Sequence, residues 1–215
     1  MGKLNAVKKQ LIIVRKLTNL IKKLLLILSI ILLTACSSAL TNKTITDSYT
    51  KEKLEKVEMK DGMITIYYRS DNMERGDNPY NYLLRDIVID PSFYDNEEIQ
   101  RGDVVYHEQP KEYYELVQYE ALEEPLNRVI ALPGESVEIK DGQFYIDGKK
   151  LDTFYGNGTN NIRSNDYESE FQLEKITVPD GHIFVSGDLW WRGIDSKQYG
   201  PIPIEFVKGK VLGYP

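Results

Sequence analysis

The sequence predicts an all-β domain of antiparallel sheets with few, short helices. Three observations lead there. Short runs rich in β-branched and aromatic residues recur from residue 63 onward, each bounded by Gly, Pro or Asp. An Asp-Gly pair, 141–142, separates two alternating runs and suits a tight hairpin turn. No stretch beyond residue 57 carries a long apolar repeat with the 3.6-residue period of a helix.

Taken in order, residues 1–35 carry seven Lys and Arg and no acid. Lys22 and Lys23 precede a 12-residue apolar run from Leu24 to Ala35, followed by Cys36, the only cysteine. That run is too short to span a bilayer alone, which takes about 20 residues, but has the length of a signal-peptide core. Residues 36–57 are polar and aperiodic and read as a tether. Strands are expected at 63–68 (MITIYY), 86–90 (DIVID), 103–108 (DVVYHE) and 114–120 (YELVQYE). "SVEIKDGQFYIDGKKL" supplies the hairpin, because Asp141-Gly142 can take the positive φ angles of a type I′ turn. Residues 152–172, rich in Asn, Gly and Ser, read as a loop excursion. "KITVPDGHIFVSGD" repeats strand, turn and strand, and "EFVKGKVLGYP" ends the chain in a strand. The expected organisation is a signal or anchor at 1–35, a tether at 36–57 and a β domain at 58–215.

Charge narrows the function. Seven of the 27 basic residues lie in 1–35, which leaves 20 against 33 acidic residues, a net of −13 for the remainder. Such a body lacks the basic footprint of a nucleic-acid binder and is not drawn to anionic lipid. Membrane attachment must then come from the N-terminal segment. Leu33-Thr34-Ala35-Cys36 resembles the lipobox of bacterial lipoproteins, which implies a lipid-anchored Cys36 facing outward from the cell membrane. The alternative is an uncleaved anchor at 24–40, and both place the body outside the cytoplasmic membrane. No metal-ligand spacing, phosphate loop or nucleotide motif appears, so no cofactor or metal is expected.

Four stretches in the right order resemble the signal peptidase I family, membrane serine proteases with a Ser/Lys dyad. They are "YYRSDNMERGD" (67–77), "RGDVVYHE" (101–108), "LNRVIALPGESVEIKDG" (126–142) and "VPDGHIFVSGDLWWRGIDSKQYGPI" (178–202). The resemblance covers about 58–215 and implies that family's antiparallel β fold and a groove for extended peptides. In the family a serine attacks the peptide carbonyl, and a lysine made neutral by burial takes its proton. Carried over residue by residue, Ser70 falls on the oxyanion serine and Asn72 on the nucleophile, just before Met73. Asn127 falls on the lysine base and Gly193 on the serine that orients it. The retained scaffold residues are Gly102, Asp103, Arg128, Pro133, Gly134, Gly187, Asp188, Asp195 and Ser196.

Asparagine replaces neither lost group: its amide nitrogen is not basic, and it has no hydroxyl to attack with. Ser70, Asn72, Met73 and Asn127 are therefore expected to contact a bound peptide rather than cut it. Lys140 lies beside the hairpin turn and reads as solvated. His107 and His182 read as strand or surface histidines away from the base position. Trp190-Trp191 is either an exposed contact pair or one tryptophan packed inward and one on the surface. Three functions stay open: a non-catalytic binder of signal-peptide-like segments, a partner that regulates an active signal peptidase, or an active signal peptidase with an atypical site. Neutral decay of the site is the bland alternative.

Overall fold

The computed structural model describes residues 18, 21–22, 43–75, 81–117, 124–158 and 171–215. Backbone contacts divide the chain into Met1–Asn42 and Lys43–Pro215. The apolar run 24–35 and Cys36 lie outside the described residues, as does most of the 152–172 excursion. Among the described residues no helix is long and apolar enough to cross a membrane.

Among the described residues twelve strands form two sheets, and most of them fall on the alternating runs. The larger has seven strands, in spatial order β11 (Ile202–Pro203), β10 (His182–Ser186), β5 (Leu126–Ala131), β4 (Val104–His107), β12 (Val207–Gly213), β3 (Arg85–Asp90) and β2 (Ile64–Tyr68). The smaller has five: β1 (Thr44–Thr46), β8 (Lys149–Asp152), β7 (Gln143–Ile146), β6 (Ser136–Lys140) and β9 (Leu173–Thr177). All pairings are antiparallel except that of β1 with β8. The hairpin turn behaves as its sequence implies: Asp141 and Gly142 have φ of 48° and 73°, the two positive values of type I′.

"LPGES" carries the chain from one sheet to the other. Pro133 and Gly134 occupy the centre of a turn with Gly134 at φ +81°, the conformation of a type II turn. The return crossing lies beside it, since Gly134 N–H donates to Val178 O at 2.9 Å and Val178 N–H to Glu135 O at 2.8 Å. So "KITVPDGHIFVSGD" has the expected strand, turn and strand, but the two strands do not pair with each other. Its two strands, β9 and β10, belong to different sheets because the Pro179–Gly181 turn rides on this double crossing.

Two further expectations change. Residues 114–120 do not begin as a strand: Lys111–Leu116 is a helix, α1. KEYYEL contains no β-branched residue, Pro110 precedes its first turn, and Val117 returns to extended backbone. Residues 43–57, expected within the free tether, form a strap tied to both sheets. Thr44–Thr46 pairs with β8, and Tyr214 exchanges backbone hydrogen bonds with Glu55 and Val57. Asp47 accepts from Tyr49 N, Thr50 N and Tyr155 Oη at 2.8–3.0 Å. Gly102 accommodates the strap at φ +92°: a Cβ there would lie 2.2 Å from Thr50 Oγ1.

Three apolar clusters fill the domain, and Trp190 belongs to the one under the smaller sheet, between Phe144 and Phe171. Trp190 is buried and Trp191 partly exposed, so the tryptophans divide as one inward and one outward. At the centre, Arg128 on β5 and Asp188 after β10 are each about 2% exposed. They form a bidentate pair, Nε to Oδ1 at 2.8 Å and Nη2 to Oδ2 at 2.7 Å, while Nη1 donates to Gly102 O at 2.8 Å. Removing one partner strands a buried charge. Arg128→Met or Asp188→Ala alone should lower stability by about 3–5 kcal/mol in urea unfolding, and the double substitution by less than the sum.

Candidate active site

Asn72, Asn127 and Gly193, the residues that the resemblance assigns to catalytic positions, lie where β2 ends, β5 begins and the segment after β10 passes. Asn72 lies in the turn following β2 and is 5% exposed. Its Oδ1 accepts from Tyr68 Oη at 2.6 Å, and its Nδ2 donates to Leu126 O at 2.8 Å. Tyr68 Oη also accepts the Leu126 N–H at 3.2 Å, so Tyr68, Asn72 and Leu126 close a ring of hydrogen bonds. Burial pushes the Tyr68 pKa well above its ordinary value, against smaller lowering contributions from Leu126, Ser70 and Asn72, so the phenol stays a donor. The carbonyl of Asn72 accepts Leu189 N–H at 2.8 Å. This amide is a clasp between three segments.

Ser70 Oγ accepts the backbone N–H of Asn72 at 3.4 Å. The hydroxyl and N–H that would together hold an oxyanion face each other instead. Gly193 is indeed the neighbour of Asn72: a Cβ built on it would stand 3.4 Å from Asn72 Cβ and 3.8 Å from Asp195 Oδ2. That is ordinary contact, so the position has room for a Cβ. Gly187 differs, because a Cβ would come within 2.7 Å of Asn72 O.

Asn127, on β5, is 2% exposed. Its Oδ1 lies 2.9 Å from Nε2 of His107. The register explains the meeting: Val105 pairs with Asn127, and His107, two residues on, shares its face of the sheet as a diagonal neighbour. His107 is thus fully buried against the base position, not away from it. Its Nδ1 lies 2.7 Å from the Glu108 carbonyl oxygen, which can only accept, so Nδ1 carries the proton. Burial lowers the His107 pKa, outweighing the raising effects of the Glu108 carbonyl, Asn127 and Asp195. The neutral ring keeps a lone pair on Nε2. Two acceptors cannot share one contact, so the neutral form requires the Asn127 amide to turn its NH2 toward Nε2. No hydrogen bond joins the Asn72 and Asn127 side chains to each other.

The scaffold residues are firmly placed. Asp195 is fully buried, accepts from Gly187 N at 2.9 Å and Lys197 Nζ at 2.5 Å, and caps the short helix α2 (Ser196–Tyr199). Ser196 Oγ accepts Val185 N–H at 3.0 Å. Asp103 Oδ2 accepts from Tyr94 Oη and Gln100 N, both at 3.0 Å. Lys140 pairs with Glu138 at 2.8 Å on an exposed turn, and His182 leans on Asp180 O, as befits surface residues.

Four residues were expected to face a bound peptide, and the structure alters that. Met73 is fully buried in the core beside Tyr68, and Asn72 and Asn127 have their amides engaged internally. Only Ser70 remains partly exposed. Tyr68 does not stand out in the sequence, and His107, expected away from the base position, stands against it. Tyr68 could have been sought as the inward member of the Tyr67-Tyr68 pair, four residues before Asn72. His107 needed the β4–β5 register.

The neutral His107 has a consequence in pH. Unfolded, it titrates near 6.5 and, folded, lower, so the unfolded chain binds more protons in between. The stability linked to this group is complete above about pH 6.5 and is lost as pH falls below it. The urea midpoint should therefore drop between about pH 7 and pH 5.5, and His107→Gln should flatten that drop. An equal drop in both proteins would exclude the assignment.

Comparison with known proteins assigns the family. A family model described as "Signal peptidase, peptidase S26" matches residues 18–213. The chain is 32% identical over 151 residues to probable signal peptidase I-1 of Synechocystis sp., covering 68% of this chain and 67% of that protein. It is 25% identical over 138 residues to signal peptidase I V of Bacillus subtilis, covering 61% of this chain and 82% of that one. The crystal structure of a signal peptidase I from Enterococcus faecalis V583 aligns at 26% identity and a TM-score of 0.41, over 53% of this chain and 97% of that one. With the match running through both sheets and every segment of the site, the chain belongs to the signal peptidase S26 family.

Proposed function

We propose that this family member is a non-catalytic, membrane-attached protein of the extracytoplasmic face that holds extended, signal-peptide-like segments. One observation carries the reading. At both positions where the family's reaction needs a proton-transfer partner there is an amide, and each amide is engaged inside the fold. Neither can attack a carbonyl or accept a proton near neutral pH. Attachment through a lipid on Cys36, or through the apolar segment before it, completes the proposal.

The peptide-holding part rests on the sheet edge instead of the buried amides. Among the described residues β2 ends the seven-stranded sheet and pairs only with β3, an arrangement that suits strand addition at its other edge. Ile64 and Tyr67 on that strand are 41% and 53% exposed, offering apolar contacts beside backbone donors and acceptors. Ser70 follows at the strand's end.

A second reading, an active signal peptidase with an atypical site, draws on the part-exposed hydroxyl of Ser70 and the neutral imidazole of His107. One experiment separates the two. The full chain in detergent should bind a labelled peptide with an Ala-x-Ala site, leave it uncut, and bind a scrambled version at least about tenfold more weakly. Equal affinity for both peptides would sink the binding role. Cleavage that disappears in Ser70→Ala would establish the second reading. The triple change Asn72→Ser, Asn127→Lys, Gly193→Ser should restore cutting, since it returns the hydroxyl, the amine and the orienting hydroxyl, and the position of Gly193 has room for a Cβ.

A further inference from the structure

A groove opens at the opposite end of the larger sheet from β2. It measures about 410 Å³ and is lined by the apolar parts of Tyr94, Ile99, Leu132, Pro133, Ile183 and Ile204, with Glu97 and Glu98 on its rim. Ile183 lies on β10, five strand spacings from β2 in the sheet order, or about 24 Å. The two surfaces are therefore separate, and the inference does not rest on the function proposed above.

The groove is built rather than incidental. Its floor is fixed where Ile183 pairs with Ile202 and Ile204 N–H donates to Gly181 O at 2.8 Å. Its acidic wall is held by Asp103, which accepts from Tyr94 Oη and Gln100 N at 3.0 Å. The nearby cations are already committed. Lys210 pairs with Asp103 at 2.6 Å and lies over the Phe93 ring, and Arg101 pairs with Glu135 at 2.5 Å. Glu97, Glu98 and the exposed Glu205 beside Ile204 have no ion-pair partner among the described residues. An apolar floor between uncompensated carboxylates complements one chemistry in particular, apolar side chains flanked by fixed positive charge. An acidic segment would be repelled there, and the volume suits a few side chains rather than a large cofactor.

We infer that this groove is a docking site for a polypeptide segment that combines apolar residues with Lys or Arg. The test uses the full chain in nanodiscs of zwitterionic lipid, with empty nanodiscs as the blank. Its probe is a short fluorescein-labelled peptide of leucine and lysine, compared with the same peptide carrying glutamate for lysine. The lysine peptide should bind saturably, weaken as salt is raised, and lose at least about tenfold in affinity in Glu97→Lys/Glu98→Lys. Ile204→Asp should weaken it too. Because Ile204→Asp touches the floor, Glu97→Gln/Glu98→Gln on the exposed rim provides a variant that leaves packing alone, and it should show an intermediate loss. Thr65→Pro on β2 should leave this binding unchanged while abolishing capture of the Ala-x-Ala peptide, so the two sites fail separately. Equal binding of the lysine and glutamate peptides, no saturable binding, or an unchanged affinity in the charge-reversed variant would overturn the inference. So would a dimer in sedimentation velocity that the same rim changes dissolve without affecting the peptide.

Discussion

The buried pair of Arg128 and Asp188 is the constraint on which the rest of this structure depends. It joins β5 to the segment after β10 and, through Gly102, to the turn before β4. Phe154 and Tyr155 lay their rings about 5 Å from the same guanidinium, at 5.0 and 5.2 Å. Charges so far from water are tolerated only when every donor is satisfied in good geometry, and here the fork of the guanidinium matches the carboxylate it meets. With Arg128 fixed, its neighbours Asn127 and Leu126 are fixed, and with Asp188 fixed the chain that carries Gly187 and Gly193 past Asn72 is fixed too.

The positions of Asn72 and Asn127 are accordingly fixed, and each carries an amide in place of a hydroxyl or an amine. A hydroxyl–amine dyad needs a polar pair left incompletely satisfied, so that a proton can move and a nucleophile can advance. In its place the fold puts two amides whose hydrogen bonds run into the protein, one to Tyr68 and Leu126 and one to His107. Such groups stabilise the ground state.

Much of the fold was legible in the residues. The Asp141-Gly142 turn, the Pro133-Gly134 turn and most strands stand where alternation and turn chemistry place them. Two departures come from contacts between distant segments and one from local residues. β9 and β10 look like a hairpin locally, but they part because each is claimed by a different sheet across the double crossing at Gly134 and Val178. Residues 43–57 look like a tether because their polarity conceals that Asp47 and Glu55 bond to distant segments. α1 looked like the start of a strand because its tyrosines suit either state, and Pro110 and the absence of β-branched residues decided for the helix.

By itself the sequence determined which chemical groups are present. A backbone position that needs positive φ, a missing hydroxyl and a missing amine are properties of single residues, and the order of the boxes follows the chain. Only the tertiary structure decided what those residues touch. That Asn72 is clasped rather than offered, that His107 stands against Asn127, and that an acidic-rimmed groove lies a sheet's width from β2 all depend on register and on segments far apart in the chain. A one-residue shift in strand pairing would turn each side chain to the other face. Composition has no access to that choice, and packing makes it.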